Sequence, residues 1–190
     1  CTLQHMDYSA QLEFKTNLVR ETLKRIGGIE NATVHDIIGM ENPFGYRNKA
    51  QYPVALVNGL PAIGFYAKRT HNVIDSMTCS IQDEISDKVR GIVRDFIIEK
   101  GISVYDERTG KGLVRHIMTR TGYKTGEVMA VLVINGNGLP MKEDLVERLT
   151  GGIEGIKSIV LNINKGNTNI ILGDKSVAIY GNDYITDYIG

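Results

Sequence analysis

Cys1 and Cys79 are the only cysteines of the chain, and a thiolate is the side chain best suited to a soft metal or an iron–sulfur cluster. By spacing alone the two read first as free thiols, then as a single disulfide, and last as metal ligands. Cys79 directly precedes a stretch of helical periodicity that starts at Ser80. Its sulfur is therefore expected beside a helix N-terminus, where free N–H groups and the helix dipole favour the thiolate. A small buried cysteine is the competing reading. A first residue that is itself one of two cysteines suggests a ligand set whose other members lie upstream.

A second group of residues could bind polyanions. Arg47, Lys49 and Gln51 alternate along a strand-like run and so share one face, and a row of cations on a pleated surface can track phosphates. Lys68, Arg69 and His71 follow a little before Cys79. Farther on, His116 and Arg120 share a face, with Arg115 on the opposite one. Formal net charge is +0, which by itself argues against a general nucleic-acid binder. The distribution argues otherwise, because no acid falls between Glu41 and Asp75 or between Glu107 and Glu127. Tyr46, Tyr52, Phe65 and Tyr66 lie in the first of these basic islands and can stack on unpaired bases, with a core position preferred for Phe65. The bland reading is that the cations decorate exposed strand edges. Asn162, Asn164 and Asn169 read first as turn residues, and His35 as a packed side chain. There is no histidine pair at metal-ligand spacing, no phosphate-cradling glycine loop and no nucleophile elbow.

The elements that must position these residues follow from periodicity. A helix is predicted from about Ser9 to Ile26, with the stripe Phe14, Leu18, Leu23, Ile26, a Ser9 cap and a Gly27-Gly28 stop. A short strand is predicted within Ile29 to Met40. Two hairpins follow, Tyr46–Val57 with Leu60–Lys68 about Asn58-Gly59, and Leu113–Thr121 with Glu127–Ile134. Helices are expected from Ser80 to Gly101, with Asp83 at the far end of a capping pattern, and from Lys142 to Leu149, ended by Gly151-Gly152. Ser158–Asn164, Asn169–Leu172 and Ser176–Tyr180 complete the strands. The fold class is therefore α+β, a mostly antiparallel sheet of hairpins covered by helices, forming one central domain with an N-terminal helix. Its 190 residues suffice for one full core, and no apolar run approaches a membrane span. No signal pattern opens the chain, so a cytoplasmic protein with no membrane partner is expected.

Five segments in family order, and a closing stretch after them, resemble a known family. Cys1-Thr2-Leu3-Gln4-His5 with Asp7-Tyr8-Ser9 resembles the tail of the Cys-Gly-Gly-Cys-x-Leu-Gln-His segment of RNA (uracil-5-)-methyltransferases. Asn42-Pro43-Phe44-Gly45-Tyr46-Arg47-Asn48-Lys49 is similar to the start of that family's central domain. Gly64-Phe65-Tyr66 through Lys68, Arg69, His71 and Ile74-Asp75 to Cys79 resembles its fourth-cysteine stretch. Leu113-Val114-Arg115-His116, and Ser158 to Asn164 with Thr168-Asn169 and Ile171-Leu172-Gly173, resemble two further blocks. Tyr180-Gly181 through Asp183-Tyr184-Ile185 to Gly190 looks like the lead-in to the family's methyltransferase domain.

The resemblance implies that Cys1 and Cys79 are two of four ligands of a [4Fe-4S] cluster, which this chain alone would not hold intact. It implies RNA contacts by Arg47, Lys49, Gln51, Lys68, Arg69, His71, Arg115, His116 and Arg120, with 23S rRNA preferred to tRNA. It also implies that methyl transfer from S-adenosylmethionine to C5 of a uridine belongs to a domain beyond Gly190. There a cysteine would add to C6 and a carboxylate would remove the C5 proton. No residue here takes a catalytic role, and the chain alone is expected to be inactive. The expected organisation is 1–28, the end of the cluster segment plus a helix leaning on the methyltransferase domain, and 29–190, the RNA-handling domain. Without that domain the first helix is expected to self-associate or to be mobile. The rival from another class is a stand-alone RNA-binding or interaction module without catalysis.

Overall fold

The computed structural model describes residues 2–189. The chain divides into two compact units, Cys1–Phe44 and Gly45–Gly190. In the first, α1 runs Tyr8–Arg25, its N-cap position is Asp7 rather than Ser9, and its last turn carries Lys24 and Arg25. The strand predicted within Ile29 to Met40 does not form. That stretch runs back along α1, where the Ile37 N–H donates to Thr16 Oγ1 at 3.1 Å and the Met40 N–H to the Tyr8 hydroxyl at 2.8 Å. Its apolar residues find no partner strand, and Ile38 is exposed, as is His35. Phe14, Leu18 and Ile26 of the α1 stripe are exposed as well.

The second unit is a seven-stranded sheet. Its elements in chain order are β1 (Lys49–Val57), β2 (Leu60–Tyr66), β3 (Val73–Asp75), α2 (Glu84–Glu99), β4 (Val114–Thr121), β5 (Val128–Ile134), α3 (Lys142–Gly152), β6 (Ile156–Ile163) and β7 (Lys175–Gly181). The strand order is β3-β2-β1-β4-β5-β6-β7, antiparallel except for the β5–β6 pair. Both predicted hairpins form. Asn58 and Gly59 both take positive φ, 52° and 81°, as the type I′ turn requires. The parallel pair needs a crossover, and α3 provides it. Gly151 and Gly152 are the last two residues of α3, and Ile153 is its extended C-cap. Residues 169–172 are bends rather than a strand.

Helices α2 and α3 cover one face of the sheet. Val89, Val93, Phe96 and Ile97 of α2 and Leu145 and Leu149 of α3 pack against Tyr52, Ile63, Ile117, Leu132 and Ile159. Alternation along the strands places these sheet residues on the helix side and their neighbours on the other.

Inside this core sits a charge. Arg90 of α2 is 2% exposed, lies 4.8 Å over the Tyr52 ring, and donates to Asp87 Oδ1 at 2.8 Å and to the Met77 carbonyl. One turn on, Arg94 pairs with Asp75, whose Oδ1 also accepts the Ile63 N–H at 3.0 Å. The two arginines hold the β3-to-α2 connection against the helix. A buried guanidinium is tolerated only when paired and hydrogen-bonded, and removing one partner strands the others. Arg90→Ala is expected to lower the unfolding free energy by about 3–5 kcal/mol in urea titration. A loss below about 1 kcal/mol, the worth of an exposed pair, would show that this clamp does not hold the connection.

Candidate functional site

Strand register brings the two basic islands together. Lys49 lies directly opposite Arg120, followed at two-residue steps by Gln51 opposite Met118 and Pro53 opposite His116. These six residues therefore share the face turned away from α2. Lys49 and Arg120 are exposed, and neither makes an ion pair among the described residues. Like charges directly opposite destabilise a sheet by up to about 1 kcal/mol, so folding alone gives no reason for the pair. Gln51 Nε2 reaches Met118 Sδ at 3.6 Å.

Arg47 is exposed just ahead of β1, where its N–H donates to the Ile81 carbonyl at 2.9 Å and the Gly45 N–H to the Ser80 carbonyl at 2.9 Å. The start of the basic strand is thereby zipped to the residues that follow Cys79. Lys68 and Arg69 are exposed in the β2–β3 turn, closed by the Ala67 N–H on the Asn72 carbonyl at 2.8 Å, with Arg69 left-handed at φ 62°.

The remaining predicted residues surround a cavity of about 640 Å³. Beyond Pro53, which has no N–H to offer β4, Val54 to Val57 pair with β2 alone, and the sheet opens there. The 104–108 loop lines the gap. It is anchored through Gly112, whose φ of 100° and place against the Val104 carbonyl leave no room for a Cβ. Glu107 on this loop accepts from the Tyr66 hydroxyl at 3.2 Å and lies 2.9 Å from His71 Nδ1. Burial first, then the Glu107 charge, push the Tyr66 hydroxyl up to about 12, so it remains a donor.

Arg115 was expected on the surface opposite His116, yet it is 4% exposed. Its guanidinium lies 4.3 Å from the Tyr105 ring and donates to the carbonyls of Asn164 and Gly166 at 2.9 and 2.7 Å. His116 is 6% exposed, and neither ring nitrogen has a partner. Burial, helped by the Arg115 charge and opposed by Glu107, pushes its imidazole down to about 4.

Some expectations about side chains change. Tyr52 is fully buried beneath Arg90, which takes it out of reach as a stacking platform, whereas Tyr46 and Tyr66 are exposed and Phe65 packs on the core. Asn162 and Asn164 are buried and serve the chain itself. Asn162 exchanges hydrogen bonds with Gly173, and Asn164 donates to the Ile170 and Ile171 carbonyls. Glu107, Tyr105 and Arg90 are the residues that reading the sequence missed. The position of Glu107, as the acid that opens the second acid-free stretch, was the available signal.

Helix α2 begins at Glu84, and Asp83 is itself the cap, accepting the Ile85 N–H at 2.8 Å. Cys79 therefore sits four residues short of the cap. It is a half-buried free thiol whose N–H faces Asp87 Oδ2 at 3.4 Å. Cys1 lies outside the described residues. A four-iron cluster takes four thiolates. The described residues offer one, with no group of three or more His, Cys, Asp or Glu side chains arranged for a metal. They do not by themselves fit a cluster.

No protein-family model matches the chain. Over all of its length it is 48% identical to an uncharacterized RNA methyltransferase of Clostridium tetani, covering 41% of that protein. It is 47% identical to one of Caldanaerobacter subterraneus, covering 42%. Among solved structures, the Pyrococcus abyssi tRNA (uracil-54, C5)-methyltransferase in complex with S-adenosyl-L-homocysteine superposes with a TM-score of 0.74 at 26% identity, over 99% of this chain and 42% of that one. In sequence and in fold the chain is thus similar to a segment of proteins named RNA methyltransferases. The chain spans about two fifths of the length of the relatives it matches.

The lowered His116 value makes stability depend on pH. An imidazole at about 4 when folded, against 6.5 ordinarily, favours the neutral form in the folded state. The folded protein is thus unaffected above pH 6.5 and loses stability as pH falls from 6.5 toward 4, by about 3 kcal/mol in all. The Arg115 and Glu107 charges act on the ring, and His71 lines the same cavity. His116→Gln should flatten this stretch of the profile, read as urea midpoints at about pH 7 and about pH 4.5. A slope unchanged from the parent chain would place the acid sensitivity elsewhere.

Proposed function

We propose that this chain is the RNA-handling portion of an S-adenosylmethionine-dependent RNA (uracil-5-)-methyltransferase. The observation that carries the reading is the Lys49–Arg120 pair, two exposed cations held opposite each other with no acid to neutralise them. Phosphates of a bound RNA relieve that repulsion. Arg47 and Gln51 extend the row along the strand, and Lys68 and Arg69 add a second exposed contact. Methyl transfer, and S-adenosylmethionine itself, belong in this reading to the part of the relatives that the chain does not span, so the chain alone handles RNA without modifying it.

The substrate we favour is 23S rRNA, on the likeness of the Cys1 segment to cluster-bearing family members. The Pyrococcus abyssi relative supports tRNA as the alternative, since its name states that substrate. Cys79 is proposed as one ligand of a [4Fe-4S] cluster in the longer protein, Cys1 as another. The exposed α1 stripe of Phe14 and Leu18 is proposed to pack on another surface, a second copy of the chain included. No helix among the described residues is long and apolar enough to cross a membrane.

Lys49→Ala combined with Arg120→Ala should weaken binding of single-stranded RNA. The change should also reduce the slope of log affinity against log salt by about 1.4, the share of two phosphate contacts. Titration at several salt concentrations reads both. An unchanged slope would remove this face from the interface. In a protein that includes the upstream segment, Cys79→Ala should abolish the iron absorbance gained on anaerobic reconstitution, and full retention of iron would end the ligand assignment.

A further inference from the structure

The gap in the sheet between β1 and the 104–108 loop is built like a ligand site. Residues 54–57 of β1 carry hydrogen-bonding groups along an edge that no strand pairs. His116 is buried and unpartnered on the wall, and a buried polar group without a partner costs about 1–3 kcal/mol, which a ligand hydrogen bond relieves. Neutral imidazole presents one donor and one acceptor. Glu107 contributes carboxylate lone pairs beyond those used by Tyr66 and His71. Tyr66 and Tyr105 line the same space with aromatic rings. At about 640 Å³ the cavity lies within the range of small-ligand sites.

The chemistry of the wall selects among ligands. The lining cations Arg115 and Arg108 are engaged by the Asn164 and Gly166 carbonyls and by Asp106, and the Glu107 carboxylate repels phosphate, so the cavity suits a flat, uncharged group with N–H donors and adjacent acceptors. Guanine presents N1–H and N2–H₂ side by side, a donor pair that one carboxylate accepts, and its O6 and N7 accept from imidazole or backbone N–H. Unstacked bases in single-stranded RNA are read in this way, by stacking and by hydrogen bonds to their edges. Lys68 and Arg69 are exposed in the turn that adjoins the cavity and can meet the attached backbone phosphates, whereas Arg108 on the lining loop is paired with Asp106 at 3.5 Å.

We propose that this cavity binds an unstacked guanine, with Glu107 accepting its N1–H and N2–H₂ and His116 reading the opposite edge. As a base-specific subsite the proposal rests on the RNA-handling reading above.

The test titrates the isotopically labelled 190-residue chain separately with 5′-GMP, 5′-AMP, 5′-CMP, 5′-UMP and inorganic phosphate, following backbone amides and the His116 ring by NMR. GMP is expected to shift Val54 to Val57, Glu107 and the His116 ring saturably, with a Kd on the order of 1 mM. The other nucleotides and phosphate should bind about tenfold more weakly or not at all. Glu107→Gln, a change of charge and not of shape at an exposed residue, should abolish the preference for GMP over AMP. His116→Leu should weaken GMP about tenfold, the worth of one such hydrogen bond. Equal shifts from all four nucleotides, shifts reproduced by phosphate alone, or a His116 ring unmoved by GMP would each overturn the proposal. A chain that takes GMP here yet binds no RNA supports the pocket and removes the RNA reading. A chain that binds RNA and ignores GMP does the reverse.

Discussion

The buried guanidinium of Arg90 is the constraint on which the rest of the second unit depends. It touches three parts of the chain at once: the Tyr52 ring on β1, Asp87 on its own helix, and the Met77 carbonyl in the connection from β3. A charge removed from water needs partners at fixed positions, and Arg90 Nη2 finds two while the Tyr52 ring covers the guanidinium, which allows few geometries. Helix α2 is thus seated on the sheet in one position, and the residues around Cys79 are carried to the start of β1. The zipper of Gly45 and Arg47 to residues 80 and 81 completes that placement. The basic face and the cysteine are neighbours because one cation in the core leaves them little alternative.

The two faces of the sheet divide the work. The helix side is closed and largely apolar around the buried Arg90, and it holds the main core. The other side holds what folding does not require: the opposed cations Lys49 and Arg120, and the unpartnered imidazole of His116. Groups that cost stability are better explained by what they bind than by what they hold. Arg115 shows the opposite case, since a cation in the same basic island is spent on the carbonyls of Asn164 and Gly166 and braces the loop beyond β6.

Local features were legible in the sequence where local chemistry decides them. Asn58-Gly59 specified its turn, the repeat from Ile85 to Phe96 specified α2, and the alternating runs specified both hairpins. What depended on a distant partner was not legible. The apolar residues of 29–40 looked like a strand, but a strand needs an edge to join, and this segment bonds to α1 instead. The start of α2 was read at Ser80 because Asp83 can serve either end of a capping pattern, and the observed bond to Ile85 decides for the cap. Tyr52 and Arg115 had the composition of a nucleic-acid surface, and only Arg90 and Tyr105 reveal that both are interior. The cavity was invisible, because it is made by a pairing that stops at Pro53.

The seam between β1 and β4 also bears on how the chain reaches its fold. Each hairpin is a local unit that can form on its own timescale, but joining them means closing a loop that contains β2, β3 and the whole of α2. Loop closure over that span must precede any gain from the pairing, and contacts of such sequence separation slow folding. The helix that supplies Arg90 lies inside that loop and packs on both hairpins. Docking of α2 is therefore the natural gate to assembly, and the face that sets Lys49 opposite Arg120 exists only once that seam has closed.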